Sequence, residues 1–440
     1  MIYERFRCVT KISHRFFVIL YENFKIMKPF FRSSIVTAIS FLSLLATVSC
    51  SGGKEPAREL PPEGAVPFVY YLDHIYLSSF LEDSTECDVV FDTGAGLGSL
   101  YLYLDSTFRS ECRPAFLDSS RLTMAFYGGV GEDRYLTKLY KDSTVLVSGG
   151  LELPHAGVLF VNLRDVLGRK ADGIAGIMLD GSAWEINYER HYLRKLEHVQ
   201  VDSLGLEGFS AFPMKIADGR LLVHCDVCFS DGVSSWGWFI LDTGSGGSIF
   251  FTADEAAAKG FGSAGNPVCR YVGGSRGLGG ETVSCIADAE YAVFGNDTLR
   301  NIEIEWYEGK NGVMAGGSYK GIIGNELLER YNMVLDLRDS LIYLQRNPAY
   351  EVPRDGKPWG ISFVDRTDIG DAWIASAIRV GGPADEAGVA PGDSVVSING
   401  KPVTGMDVEE VYAVMDSLSV LDLVLKDGRD VKKLRIVCGE

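Results

Sequence analysis

Apolar and polar positions alternate along residues 66–78 and again along 211–229, the period of two that marks a half-buried strand. Each stretch leads to a short apolar run, Val89-Val90-Phe91 in one case and Phe239-Ile240-Leu241 in the other. Each run stops at the same triplet, Asp92-Thr93-Gly94 and Asp242-Thr243-Gly244. Gly-rich hairpins follow, at Phe126-Tyr127-Gly128-Gly129 and Tyr271-Val272-Gly273-Gly274. Residues 183–199 read as a helical connector and 327–330 as a short helix. Strands are expected at 333–337 and 341–344 around an Asp339-Ser340 turn. After a turn-rich linker at 348–357 the elements shorten. Residues 373–380 form a β-type run, Asn399-Gly400 marks a hairpin turn, 407–418 is an amphipathic helix, and 421–425 and 431–437 are final strands.

One run is of another kind. Residues 35–48 are uncharged and mainly apolar, preceded by Met27, Lys28 and Arg32. Fourteen residues is the length of a signal-peptide core and short for a membrane span. The run ends at Ala46-Thr47-Val48-Ser49-Cys50, which resembles a bacterial lipobox with Thr47 where Leu is usual. That resemblance implies export to the bacterial cell envelope, with Met27 as the start, residues 1–49 removed and Cys50 lipidated as a membrane anchor. Plain cleavage and an uncleaved anchor are the alternatives. Residues 50–64 read as a tether.

The chain has 440 residues, 46% of them hydrophobic, which suits packed cores and excludes wholesale disorder. Its 50 glycines follow no fixed period, so they point to tight turns rather than to a collagen-like repeat. The net charge of −17 becomes −22 without residues 1–49, which hold seven basic and two acidic side chains. Such a surplus of acid excludes a sequence-independent nucleic-acid binder, which needs a basic face.

The repeat carries the chemistry. Asp172-Gly173-Ile174-Ala175-Gly176-Ile177 follows the first triplet much as Lys320-Gly321-Ile322-Ile323-Gly324-Asn325 follows the second. An apolar strand ending in Asp-Thr-Gly places a carboxylate at a turn, and Gly lets the chain double back so that an N–H faces it. Two such loops meeting at a pseudo-two-fold axis bring two carboxylates together. They cannot both ionise cheaply, so they share a proton and titrate as a unit. The ionised member can activate a water for attack on an amide carbonyl, and the protonated member can donate to the oxyanion. No metal, cofactor, Ser or His is required. Ser245 can donate to the Asp242 carboxylate, whereas Ala95 at the equivalent place cannot. Asp242 is therefore expected to have the lower pKa and Asp92 to hold the proton.

With the double triplet, the two hairpins and the two Gly-Ile elements, residues 65–347 resemble the retropepsin/pepsin superfamily, in the form of a bacterial aspartyl protease with a C-terminal PDZ domain. The resemblance implies a mainly β, bilobal acid protease with two related β-lobes, at 65–205 and 206–347. It implies Asp92 and Asp242 as catalytic residues, with Thr93, Gly94, Thr243, Gly244 and Ser245 as support. It makes Tyr127, Gly128 and Gly129, with Tyr271, Gly273 and Gly274, flap residues over a peptide or protein substrate, and a monomer the catalytic form.

The pattern Gly382-Pro383-Ala384, Ala387-Gly388, Gly392-Asp393 and Ile398-Asn399-Gly400 is similar to that of PDZ domains, over 355–438. That likeness implies an α+β module binding peptide C-termini by strand addition, with Gly360, Ile361 and Phe363 at the carboxylate loop. A spacer with an occluded groove is the other reading. A disulfide between Cys269 and Cys285 would staple the second hairpin, and one between Cys87 and Cys112 would flank the first triplet. The Cys225-x-x-Cys228 spacing lies in a strand pattern, where the two side chains face opposite ways, and does not suggest a metal site. The function expected is aspartic endopeptidase. A catalytically silent peptide binder of the same fold and a PDZ-based envelope scaffold are the alternatives.

Overall fold

The computed structural model describes residues 61–438 except 83, 97, 104–118, 130–132, 198–203, 263–267, 274–277, 279–282, 353–358 and 428–429. The export segment, Cys50, Cys112 and Gly274 therefore lie outside the described residues. The described chain is mainly β, its strands gathered into two large mixed sheets of 21 and 10 strands.

The repeat seen in the sequence is a repeat of topology. In the first copy, Glu86–Asp92 pairs in parallel with Gly173–Gly176, which runs antiparallel to Ser99–Tyr103, itself parallel to Gly157–Val161. In the second copy, Ser234–Leu241 pairs in parallel with Gly321–Ile323, which runs antiparallel to Ile249–Phe251, itself parallel to Ile302–Tyr307. Both apolar runs are buried because they are central strands with neighbours on each side: Val89, Val90, Phe91, Phe239, Ile240 and Leu241 are each at most 1% exposed. The registers set each Asp beside its Gly-Ile strand, Gly176 opposite Asp92 and the Asp242 N–H donating to the Ile323 carbonyl at 3.0 Å.

The helical connector expected at 183–199 is instead a hairpin, Ala183–Asn187 with Tyr192–Leu196. It matches the hairpin Tyr331–Asp336 with Leu341–Arg346 in the second copy, and the two pair with each other through Ala183–Ile186 and Met333–Asp336. Val66–Pro67 and Ser210–Ala217 complete a six-stranded layer built from both copies. The reason is burial on both faces: Ala183, Trp184, Ile186, Tyr192 and Leu193 are all nearly inaccessible, which a one-sided helix does not demand. The short helix at 327–330 is observed slightly earlier, as Asn325–Leu328.

The C-terminal module has its own core, centred on Trp359, Trp373, Val395, Val403 and Leu421. Its helix Val408–Met415 starts where the sequence indicates, with the Asp407 carboxylate accepting from the N–H groups of Glu409 and Glu410. The Asn399-Gly400 turn has both residues at positive φ, 48° and 75°, as a two-residue hairpin requires. The module is joined to the rest by a ladder: Cys269–Val272 of the second Gly-rich hairpin pairs with the end of Trp373–Arg379, Tyr271 opposite Arg379 and Val272 opposite Ile378.

Candidate active site

The two triplets meet. The Thr93 N–H donates to Thr243 Oγ1 at 3.1 Å and the Thr243 N–H donates to Thr93 Oγ1 at 3.0 Å. Each hydroxyl then crosses to the other strand, Thr93 Oγ1 donating to the Leu241 carbonyl at 2.7 Å and Thr243 Oγ1 to the Phe91 carbonyl at 2.8 Å. Thr93 and Thr243 are buried, so these four bonds are made without competition from water. Asn325 adds a fifth tie, donating both to the Thr243 carbonyl and to the Asp73 carbonyl at 2.7 Å, while Tyr188 donates to its Oδ1 at 2.6 Å. Sequence reasoning quoted Asn325 only as the end of the Gly-Ile element. The first copy has Ile177 there, so the repeat offered no counterpart.

This lock holds Asp92 and Asp242 within hydrogen-bonding reach of each other. The N–H of Gly94 donates to Asp92 Oδ1 at 2.7 Å and that of Gly244 to Asp242 Oδ1 at 2.9 Å. A Cβ on either Gly would collide with the carboxyl of the opposite copy, so neither position tolerates a side chain. Both carboxyls are surrounded by protein yet open to a cavity. Burial drives the Asp92 pKa well above the usual carboxylate range, and the charge of Asp242 and the bond between the two raise it further. Burial also raises Asp242, but the bond from Asp92, the Gly244 N–H, His74 and Arg220 all pull it back. Buried side by side, the two carboxyls cannot both ionise cheaply, and they titrate as a unit. The bond from Ser245 on which the sequence expectation rested is not made. Among the described residues Ser245 makes no side-chain bond to Asp242, and its Oγ lies by Gly324. His74 and Arg220 reach the site from other strands and add smaller downward pulls on Asp242 to those of Asp92 and the Gly244 N–H.

The cavity is about 320 Å³. Its walls include Gly94, Ala95, Tyr101, Gly244, Ser245 and Phe250 around the two Asp. Gly128 and Gly129 cover it from the first hairpin, and Leu278 and Val313 from the second copy. The coverings touch: the Val313 N–H donates to the Gly129 carbonyl at 3.0 Å, and a Cβ on Gly129 would lie 2.5 Å from the Leu278 carbonyl oxygen. Tyr127 lies outside this lining. It packs against Tyr135, with ring centroids 5.6 Å apart, and its hydroxyl is directed to the Asn162 backbone. Tyr271 and Gly273 also turn elsewhere, Tyr271 into the ladder with the C-terminal module and Gly273, at φ 82°, against Pro391. Among the described residues of the second hairpin, Leu278 reaches the cavity. Arg220 is the residue that sequence reasoning missed most plainly. It lines the cavity half-buried, its guanidinium 5.8 Å from the Tyr319 ring, with no ion pair among the described residues. Its alternating strand position gave no sign of this.

Residues 374–421 match the model of the PDZ domain family. An aspartic proteinase from Irpex lacteus is similar in structure over 66% of this chain and 99% of its own, at 13% identity and a TM-score of 0.40. Basic 7S globulin from soybean is similar over 66% of this chain and 96% of its own, at 10% identity and a TM-score of 0.35.

Of the three residues expected at the carboxylate loop, Gly360 precedes a strand and Ile361 and Phe363 lie in it. Gly360 is at φ 64°, where its carbonyl accepts the Arg379 N–H at 2.8 Å, and Ile361 and Phe363 belong to the strand Ile361–Asp365. The N–H of Phe363 is already taken, donating to the Tyr412 hydroxyl at 2.7 Å, with the two rings stacked. The expected Cys269–Cys285 disulfide is absent. Cys269 stands opposite Ile286 and Cys285 opposite Arg270, so the two side chains emerge on opposite faces of the hairpin, and both thiols are free. The proposed partner of Cys87 lies outside the described residues.

Proposed function

We propose that this protein is an aspartic endopeptidase. One observation carries the reading: two Asp-Thr-Gly loops from separate halves of the chain are locked by reciprocal Thr bonds, so that Asp92 and Asp242 lie side by side on a covered cavity. Asp242 is the ionised member and takes a proton from an attacking water. Asp92 gives its proton to the carbonyl oxygen of the scissile amide; the gem-diol intermediate then collapses as Asp242 passes its proton to the leaving amine nitrogen and Asp92 regains one from a gem-diol hydroxyl, which restores the starting pair. The Gly94 and Gly244 N–H groups each hold one carboxyl, and the Thr lock keeps their spacing. A cavity covered by Gly128, Gly129 and Leu278 suits an extended peptide enclosed from above. Export and anchoring through Cys50 are part of the same proposal, and the mass of the mature N-terminal peptide tests them.

The experiment is cleavage of a diverse peptide library by the wild type, Asp92→Asn and Asp242→Asn. Cleavage by the wild type that both substitutions abolish supports the assignment. Cleavage that survives both overturns it. A wild type that binds peptides and cuts none replaces it with the binding-protein reading.

A further inference from the structure

The PDZ domain does not hang from a tether; the first copy grips it at several points. The buried Arg164 meets Asp368 at 2.5 Å, Arg169 meets Asp365 at 2.6 Å, and Arg366 reaches back to Asp165 at 2.6 Å. Gly168 packs so tightly on the outer edge of the PDZ strand that a Cβ there would lie 2.6 Å from the Asp365 carbonyl oxygen. The turn Leu72-Asp73, which carries the chain into the strand beside the cavity, is held at φ 46° and 61°. A bulky side chain is strained in that region and persists only where its surroundings over-determine it. The surroundings are those of the PDZ domain: Leu72 packs on the PDZ core and its N–H donates to Glu409 Oε1 at 3.3 Å.

The cavity that holds Asp92 and Asp242 is consequently walled in part by the PDZ domain, through Ser362, Phe363, Val364, Ser376 and Tyr412. A second cavity of about 400 Å³ adjoins it and shares Leu72, His74, Val166, Leu167, Phe363 and Val364. The strand edge that a PDZ ligand would use is obstructed at two points, by the Tyr412 hydroxyl on the Phe363 N–H and by Gly168 at Asp365. Phe363 and Tyr412 nevertheless line the cavity that holds the two carboxyls.

We infer that the PDZ domain is a fixed wall of the substrate cleft: Phe363, Val364 and Tyr412, with Leu72, Val166 and Leu167 of the first copy, form a subsite that selects a large aliphatic or aromatic substrate side chain. The inference rests on the endopeptidase reading and adds its specificity. Leu72, Val166, Leu167, Phe363 and Val364 offer no ionic partner, so a charged side chain lodged against them loses water with little return. Tyr412 sets the depth of the subsite and acts as a specificity residue, with no part in proton transfer.

The test uses the full chain and a peptide library randomised on both sides of the scissile bond. Tyr412→Ala is expected to lower the preference for large apolar side chains at one substrate position about tenfold, with preferences at the other positions unchanged. Ser362→Asp, which adds a negative charge to the same wall, is expected to create a preference for Lys or Arg at that position. Wild-type positional profiles from both variants would overturn the inference and leave the endopeptidase reading standing. The same library is also bound to the Asp92→Asn Asp242→Asn double variant, with and without Tyr412→Ala, and the bound peptides are sequenced. That arm decides the subsite even where the wild type cuts nothing, because it reads selection without hydrolysis. Identical bound populations count against the subsite, and loss of large apolar residues from one position counts for it.

Discussion

Replacing Thr93 by Val keeps the shape of the side chain and removes one hydroxyl from the lock between the two halves. That hydroxyl makes two bonds, accepting from the Thr243 N–H at 3.0 Å and donating to the Leu241 carbonyl at 2.7 Å. Thr243 is fully buried, so its orphaned N–H has no water to turn to. Leaving a buried donor unsatisfied costs about 1–3 kcal/mol, and the net worth of a typical bond is about 1 kcal/mol. The expected loss is therefore about 2–4 kcal/mol, with little cavity contribution because Val fills the space. Urea denaturation of wild type and Thr93→Val, at constant m-value, measures it. Thr93→Ser retains both bonds and is expected to lose less than half as much. The hydroxyl also sets the spacing of Asp92 and Asp242, so peptide cleavage by Thr93→Val is expected to fall with the stability and to recover in the Ser variant. A Val variant within about 0.5 kcal/mol of wild type would refute the view that these bonds hold the halves together.

Three further outcomes follow from the structure. His155 is buried, and burial holds its pKa down to about 4 against an ordinary 6.5. The unfolded chain therefore binds more protons between those values, and this contribution to stability, complete above pH 6.5, is lost as the pH falls towards 4, by about 3 kcal/mol at most. Denaturation across pH 4–7 should show that slope in the wild type and a flatter curve in His155→Phe; equal slopes would sink the assignment. Arg220 stabilises the ionised Asp242, so Arg220→Gln is expected to move the acidic limb of the pH–rate profile to higher pH, and an unmoved limb would remove Arg220 from the site. Native-state alkylation followed by mass mapping should label the exposed Cys269 and spare Cys285, whose thiol is pushed up to about 12 by burial and by its bond to Glu308. A species two hydrogens lighter, linking the two, would contradict the facing seen in the hairpin.

Much of the site was legible because its signals are local. Asp92 and Asp242 follow apolar triplets, and the parallel pairing of those triplets with the Gly-Ile elements is the same in both copies. The Asp407 cap and the Asn399-Gly400 turn are likewise written within a few residues. The hairpin at 183–196 was misread because a strand buried on both faces loses its alternation and looks like a buried helix segment. The repeat held the correction, since the second copy places a strand pair at the corresponding point.

The sequence by itself determined the duplicated strand–turn framework, the two carboxylates at its turns and the separate C-terminal module. These follow from periods and triplets that a chain of any wider context would fold in the same way. Only the tertiary structure decided that His74 and Arg220 act on Asp242, because both come from strands other than its own. Only the tertiary structure decided that the PDZ domain faces the cleft. That docking rests on contacts such as Arg164 with Asp368, 204 residues apart, and on a strand ladder between Tyr271 and Arg379. Complementarity between distant surfaces leaves no period in the sequence, and it is realised only once both surfaces have folded.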